Sequence, residues 1–115
     1  MTIPVKLESV MNLREFWAKK AKRAAQHRWL AATHLQSASG CRLPDILPAV
    51  VSIKRLAPRF LDSDNTVAAC KAIRDGVADW LGVDDADERV MWVYTQLKSK
   101  AYGCLIMVAP VEVDR

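Results

Sequence analysis

No apolar run in this chain approaches the roughly 18 residues that a membrane-spanning helix requires. The start, Met1-Thr2-Ile3-Pro4, has neither the basic region nor the apolar core of a secretory signal, so a cytosolic setting is expected. Cysteine is scarce and odd in number. Cys41, Cys70 and Cys104 are widely spaced and form no C-x-x-C pair, which argues against a disulfide framework and a zinc site. The two histidines, His27 and His34, lie seven apart and miss the i,i+4 spacing of a helical metal pair, so they read as surface or boundary residues. Repeats, low-complexity tracts and linkers are absent. A chain of 115 residues, 51% of them apolar, fits one domain spanning residues 1–115. At that length roughly two-thirds of the surface can be buried without disulfides or metals.

Glycine and proline are missing between Val5 and Ser39, which leaves room for a long helix. Asn12 and Glu15 have the spacing of a capping box at its start, and Gly40 stops it. Its loose apolar stripe is Leu13, Phe16, Trp17, Ala21, Ala24, Ala31 and Leu35. Thr2 to Leu7 reads as a strand before it. Ala49 to Leu56, rich in β-branched residues and ended by Pro58, reads as a second strand. Another helix is expected from Thr66 to Leu81, with a core face of Cys70, Ile73, Val77 and Leu81 and a stop at Gly82. Strands at Val90–Leu97 and Tyr102–Val108 follow an acidic loop, Asp84 to Glu88. The order β-α-β-α-β-β predicts an α+β fold, a mixed sheet with two helices packed on it.

Charge is unevenly distributed. Residues 1–60 hold eleven Lys and Arg against three acids, and residues 61–115 hold six against ten. The basic half suggests an anionic partner, most often nucleic acid, although a solvated helix face accounts for Lys19, Lys20, Lys22, Arg23 and Arg28 equally well. Lys54, Arg55 and Arg59 extend the candidate phosphate track, and Arg59 stands out because it lies just before the acidic turn. Trp17, Trp29, Trp80 and Trp92 read as core or dimer-interface residues, with Trp29 the one candidate for base stacking.

The acids have the more specific pattern. Asp62 and Asp64 are two apart in a strand-to-helix connection, and in extended backbone such residues point to one side. Adjacent carboxylates repel unless a cation lies between them. Asp84 and Asp85 form a second pair at the far end of the helix that Asp64 begins. Oxygen ligands with no Cys or His suit magnesium or manganese rather than zinc. The competing explanation is that Asp64 or Asn65 only caps a helix. An EF-hand is excluded, because the sixth loop position is Val67 rather than glycine.

Three stretches in order resemble the RusA family of Holliday junction resolvases: Leu61-Asp62-Ser63-Asp64-Asn65, Lys71-Ala72-Ile73-Arg74-Asp75-Gly76-Val77, and Trp80-Leu81-Gly82-Val83-Asp84-Asp85-Ala86. The resemblance is continuous from about Arg59 to Arg89. It implies a small, dimeric, magnesium-dependent endodeoxyribonuclease of prophage or phage type that nicks four-way DNA junctions in recombination and repair, in a bacterial or host cytoplasm. Manganese is the possible substitute metal. Carried over residue by residue, Asp62, Asp64 and Asp85 match the metal-binding, catalytic aspartates, with Asn65 and Asp84 supporting them. Lys71 is the candidate catalytic lysine. The family lysine stands four residues after the second aspartate, where this chain has Ala68, and Lys71 is one helical turn further on. A side chain leaning toward the helix N-terminus would reach back to the aspartate turn; an i,i+4 ion pair with Asp75 is the alternative role. Two further readings remain: a catalytically weak DNA-binding protein of the same fold, and a phage nuclease for branched or flapped DNA.

Overall fold

A computed structural model describes residues 2–7, 17–39 and 47–111. Among them the chain forms an α+β fold of four strands and two helices: β1 (Thr2–Ile3), α1 (Trp17–Ser39), β2 (Ala49–Ala57), α2 (Ser63–Leu81), β3 (Val90–Lys98) and β4 (Gly103–Pro110). The sheet order is β1-β4-β2-β3. β2 pairs in parallel with β3 and antiparallel with β4, and β4 pairs antiparallel with β1. Strands β1, β2 and β3 therefore run one way and β4 runs against them. Helix α2 connects the paired parallel strands β2 and β3, the crossover that parallel pairing requires.

The second helix begins where the chain can satisfy its free N–H groups. Asp62 is the N-cap, with φ −68° and ψ 169°, and its carboxylate accepts from the Asn65 N–H. Helix α2 ends in a Schellman arrangement. Gly82, at φ 75°, donates to Asp79 O at 3.1 Å, and Val83 N donates to Ala78 O at 3.1 Å. Between these ends Cys70, Ile73 and Val77 are fully buried and Leu81 is nearly so, as the spacing predicts. Each large apolar side chain buried this way contributes roughly 1.5–3 kcal/mol. They pack in one core with Val51 and Ile53 of β2 and with Cys104 and Ile106 of β4.

The expected strand from Thr2 to Leu7 is shorter, ending at Ile3. Pro4 has no N–H for a ladder, and Val5 N turns back to Ile3 O at 2.9 Å. Val5 and Leu7 still reach the core without being in a strand. Asn12, Leu13, Glu15, Phe16, Gly40 and Cys41 lie outside the described residues, as does the side chain of Trp17. Of the rest of the α1 stripe, Ala31 and Leu35 are buried, whereas Ala21 and Ala24 are exposed, contrary to expectation, because they line an open cavity of about 490 Å³ between the two helices and not the core. Alternation along β2 puts Ala49, Val51, Ile53, Arg55 and Ala57 under the helices. The opposite face of the sheet exposes Met91, Val93, Leu97 and Met107. No helix among the described residues is long and apolar enough to cross a membrane.

The helices approach most closely at Gly76. A Cβ there would lie 2.3 Å from Arg28 O and 2.8 Å from the Ala31 Cβ. The obstruction is backbone, so it cannot swing aside. Gly76→Ala, which in an open helix would stabilise by about 1 kcal/mol, should instead destabilise by about 1–3 kcal/mol through overpacking. Urea unfolding of the two proteins measures this, and an unchanged or higher midpoint would contradict the close contact.

Candidate functional site

The acidic turn is held from beneath by two side chains of the sheet. Arg55 is only 6% exposed. Its Nε donates to Leu7 O at 2.8 Å, and its Nη1 donates to Arg59 O at 2.7 Å. Gln96, its register partner on β3, accepts from Leu61 N and donates to Leu61 O, both at 2.8 Å. Arg59 to Leu61 is thereby tied down immediately before Asp62. Asp62 Oδ1 then accepts from both Asn65 N at 2.9 Å and Asn65 Nδ2 at 2.8 Å.

This geometry alters the expected arrangement of the pair. The helix starts at Ser63, so Asp64 lies in its first turn and the two aspartates do not alternate along an extended strand. The cap is Asp62, not Asp64 or Asn65. Both carboxylates still benefit from the partial positive charge of the helix N-terminus. Asp64 is exposed. With Asp62 Oδ1 serving the cap, a cation would be taken by Asp62 Oδ2 and Asp64.

The second cluster forms around the middle of α2. Lys71 Nζ lies 2.7 Å from Asp75 Oδ1 and 2.7 Å from Asp85 Oδ2. The ammonium therefore leans toward the acidic loop, not back toward the aspartate turn. Gly82 lets the chain fold back along α2, and two carboxylates then meet the lysine from that side. The hydrogen bonds to Asp75 and Asp85 raise the Lys71 pKa. The Lys71 ammonium holds the Asp85 carboxyl below the usual carboxylate range. Both groups are substantially exposed, so solvent screens the pair and its net stabilisation is small.

The loop itself has internal and external ties. Asp84 Oδ1 accepts from Ala86 N at 3.0 Å, and Asp87 N donates to Asp84 O at 3.0 Å. Arg74 on α2 donates to Asp85 O at 2.5 Å and to the Tyr94 hydroxyl at 3.0 Å. Its guanidinium also lies 4.7 Å from the Trp92 ring centroid. Across the helix contact, Arg28 forms a two-pronged bond to Asp79, at 2.6 and 2.7 Å. A polar cavity of about 300 Å³ runs among these groups and shares Arg28, Lys71 and Asp75 with the larger inter-helix cavity.

The structure thus divides the candidate residues. Asp62, Asp64 and Asn65 gather at the start of α2, whereas Asp84 and Asp85 meet Lys71 further along it. No group of three acids, histidines or cysteines placed to hold one metal ion occurs among the described residues. The expected phosphate track also splits. Lys19, Lys20 and Arg23 are on α1, Arg59 is exposed beside the acidic turn, and Lys54 points to the opposite face of the sheet. Arg55 requires correction: it is buried, and its guanidinium is committed to backbone carbonyls rather than to a phosphate. The thiols of Cys70 and Cys104 are both pushed up to about 12 by burial, which disfavours thiolate chemistry. Trp29 is 65% exposed, whereas Trp80 is buried and Trp92 is stacked under Arg74.

Sequence reasoning missed the structural roles of Gln96 and Arg74, and gave Arg55 a surface role in place of its buried one. A signal existed for Arg55, since a charged residue at an inward position of a strand must have buried partners. No family model, curated protein or solved structure matches this chain.

The Lys71–Asp85 pair predicts a pH dependence with a definite sign. Because the Asp85 pKa is lowered, its contribution is present above the ordinary aspartate range and is lost as pH falls through the depressed value. Carboxyl-carbon NMR should show Asp85 titrating below a free aspartate, and Lys71→Ala should move that titration upward. An Asp85 titration insensitive to Lys71→Ala would contradict the pairing.

Proposed function

We propose that this chain is a magnesium-dependent, structure-selective endodeoxyribonuclease of the RusA type, acting on four-way DNA junctions. The observation that carries the reading is the 2.7 Å contact of Lys71 with Asp85. It joins the lysine of the second motif to the aspartate of the third, despite the lysine's displacement from the family spacing. The first motif is present as the capped, exposed start of the same helix.

The donor set of the aspartate turn fits magnesium. This cation commonly takes one or two protein carboxylates and completes its shell with water and phosphate, which Asp62 Oδ2 and Asp64 allow. Held by Asp62 and Asp64, magnesium would supply Lewis-acid assistance to phosphodiester cleavage. The chain's own groups do the rest. Asn65 and the helix N-terminus fix the Asp62 carboxylate. Lys71 carries positive charge to the phosphate, exchanging Asp75 for the incoming anion. Asp85 orients that ammonium, and Arg59 with Lys19, Lys20 and Arg23 contacts flanking phosphates. A homodimer belongs to the same proposal, since two symmetric cuts need two symmetry-related sites. The exposed apolar face at Met91, Val93, Leu97 and Met107 provides surface of suitable chemistry for a second copy.

A second reading is a catalytically weak DNA-binding protein of this fold. It is favoured by the separation of Asp85 from Asp62 and Asp64, and by the two carboxylates already on Lys71. One experiment distinguishes the readings: synthetic junction, flap and duplex DNA incubated with magnesium, calcium or chelator. Paired nicks in the junction with magnesium alone are expected. Asp64→Asn should abolish cutting while preserving junction binding, and Lys71→Ala should slow it by about a hundredfold or more, as loss of a transition-state charge partner does. Binding without cleavage by the wild-type protein supports the weak DNA-binding reading. Equal cutting of flap and junction points to a branched-DNA nuclease. Wild-type cleavage by Asp64→Asn overturns the site assignment.

A further inference from the structure

We propose that Arg74 is the positioning residue of the acidic loop, gripping its backbone so that the Asp85 carboxylate holds the Lys71 ammonium in place. The inference rests on the nuclease reading for its functional consequence, but not for its structural content.

The geometry separates the two ways of holding Asp85. Lys71 binds its carboxylate at 2.7 Å, and a cation or a phosphate-bound lysine would compete for that contact. Arg74 instead donates Nη2 to the Asp85 carbonyl oxygen at 2.5 Å, which no ligand of the carboxylate displaces. Three contacts fix the guanidinium: the Asp85 carbonyl, the Tyr94 hydroxyl at 3.0 Å, and the Trp92 ring at 4.7 Å. They come from the loop and from β3, while Arg74 itself is on α2. The side chain therefore ties together the three segments that determine where Asp85 lies.

The arrangement has a cost that speaks against simple surface solvation. Arg74 Nε and Trp92 Nε1 are both buried, with no hydrogen-bond partner among the described residues. A lysine at this position would retain the charge, but could not make two in-plane bonds while stacking on the indole. Arg74 does not touch the candidate phosphate or cation positions at the aspartate turn, so its role is exerted through the loop.

Amide hydrogen exchange tests the hold directly. The N–H groups of Ala86 and Asp87 are bonded within the loop, to Asp84 Oδ1 and Asp84 O. In Arg74→Lys these amides should exchange about tenfold faster or more, while those of Val51 and Ile53 in the β2 ladder stay unchanged. Junction cleavage at saturating magnesium should slow about tenfold with junction binding unchanged, the usual scale for losing a group that orients another. Tyr94→Phe removes one of the three contacts and should give a smaller shift in the same direction, which keeps the test intact if Arg74→Lys does not fold. Unchanged loop exchange in both variants overturns the proposal. Faster loop exchange with an unchanged cleavage rate overturns its functional half. If the wild-type protein cuts no branched DNA, the nuclease reading falls, and the exchange rates decide the structural hold on their own.

Discussion

The seating of α2 on the sheet is the constraint on which every other feature depends. Cys70, Ile73, Val77 and Leu81 form one face of the helix, and burial against β2 and β4 fixes its rotation. Once that face is down, the positions of Asp62, Lys71, Arg74 and Asp75 around the exposed sides are no longer free. Gly76 adds the second restraint by letting α1 come within backbone contact on one flank. The polar residues are thus placed by apolar ones, and the weak surface ion pairs refine an arrangement that they could not create.

Charge asymmetry between the two halves of the sequence has a partly internal purpose. The basic α1 lies against the acidic side of α2, and Arg28 meets Asp79 across their contact. Arg55 is spent on backbone carbonyls, and Lys71 on two carboxylates. Exposed lysines of α1, and Arg59 beside the aspartate turn, are not tied up in this way. The larger inter-helix cavity adjoins the acidic one through Arg28, Lys71 and Asp75, so a strand lying along α1 would pass directly to Lys71.

The parts legible in the sequence were those set by local rules. The periodicity of α2, the Gly82 stop, the β-branched run of β2 and the order of elements all follow from propensity, spacing and punctuation. The parts that were not legible depend on partners distant in sequence. The direction of Lys71 depended on where Asp85 would fold back, and the side chain followed the two carboxylates, not the general lean toward the helix N-terminus. Arg55 looked like a surface cation because its acceptors, Leu7 O and Arg59 O, are backbone atoms that carry no sequence signature. The Asp62–Asp64 pair looked extended because the N-cap was placed two or three residues late, and that shift turns Asp64 from a strand-like neighbour into a helical residue.

The central claim is that the start of α2 is the cation-binding end of the site. Manganese titrated at substoichiometric amounts into the isotope-labelled protein tests it most directly, because paramagnetic broadening reports which residues lie close to the ion. The account predicts that the amides of Asp62 to Asn65 broaden first, and that Asp64→Asn removes the effect. Broadening centred on Asp79 or Asp87 instead, or spread evenly over all exposed acids, would contradict it.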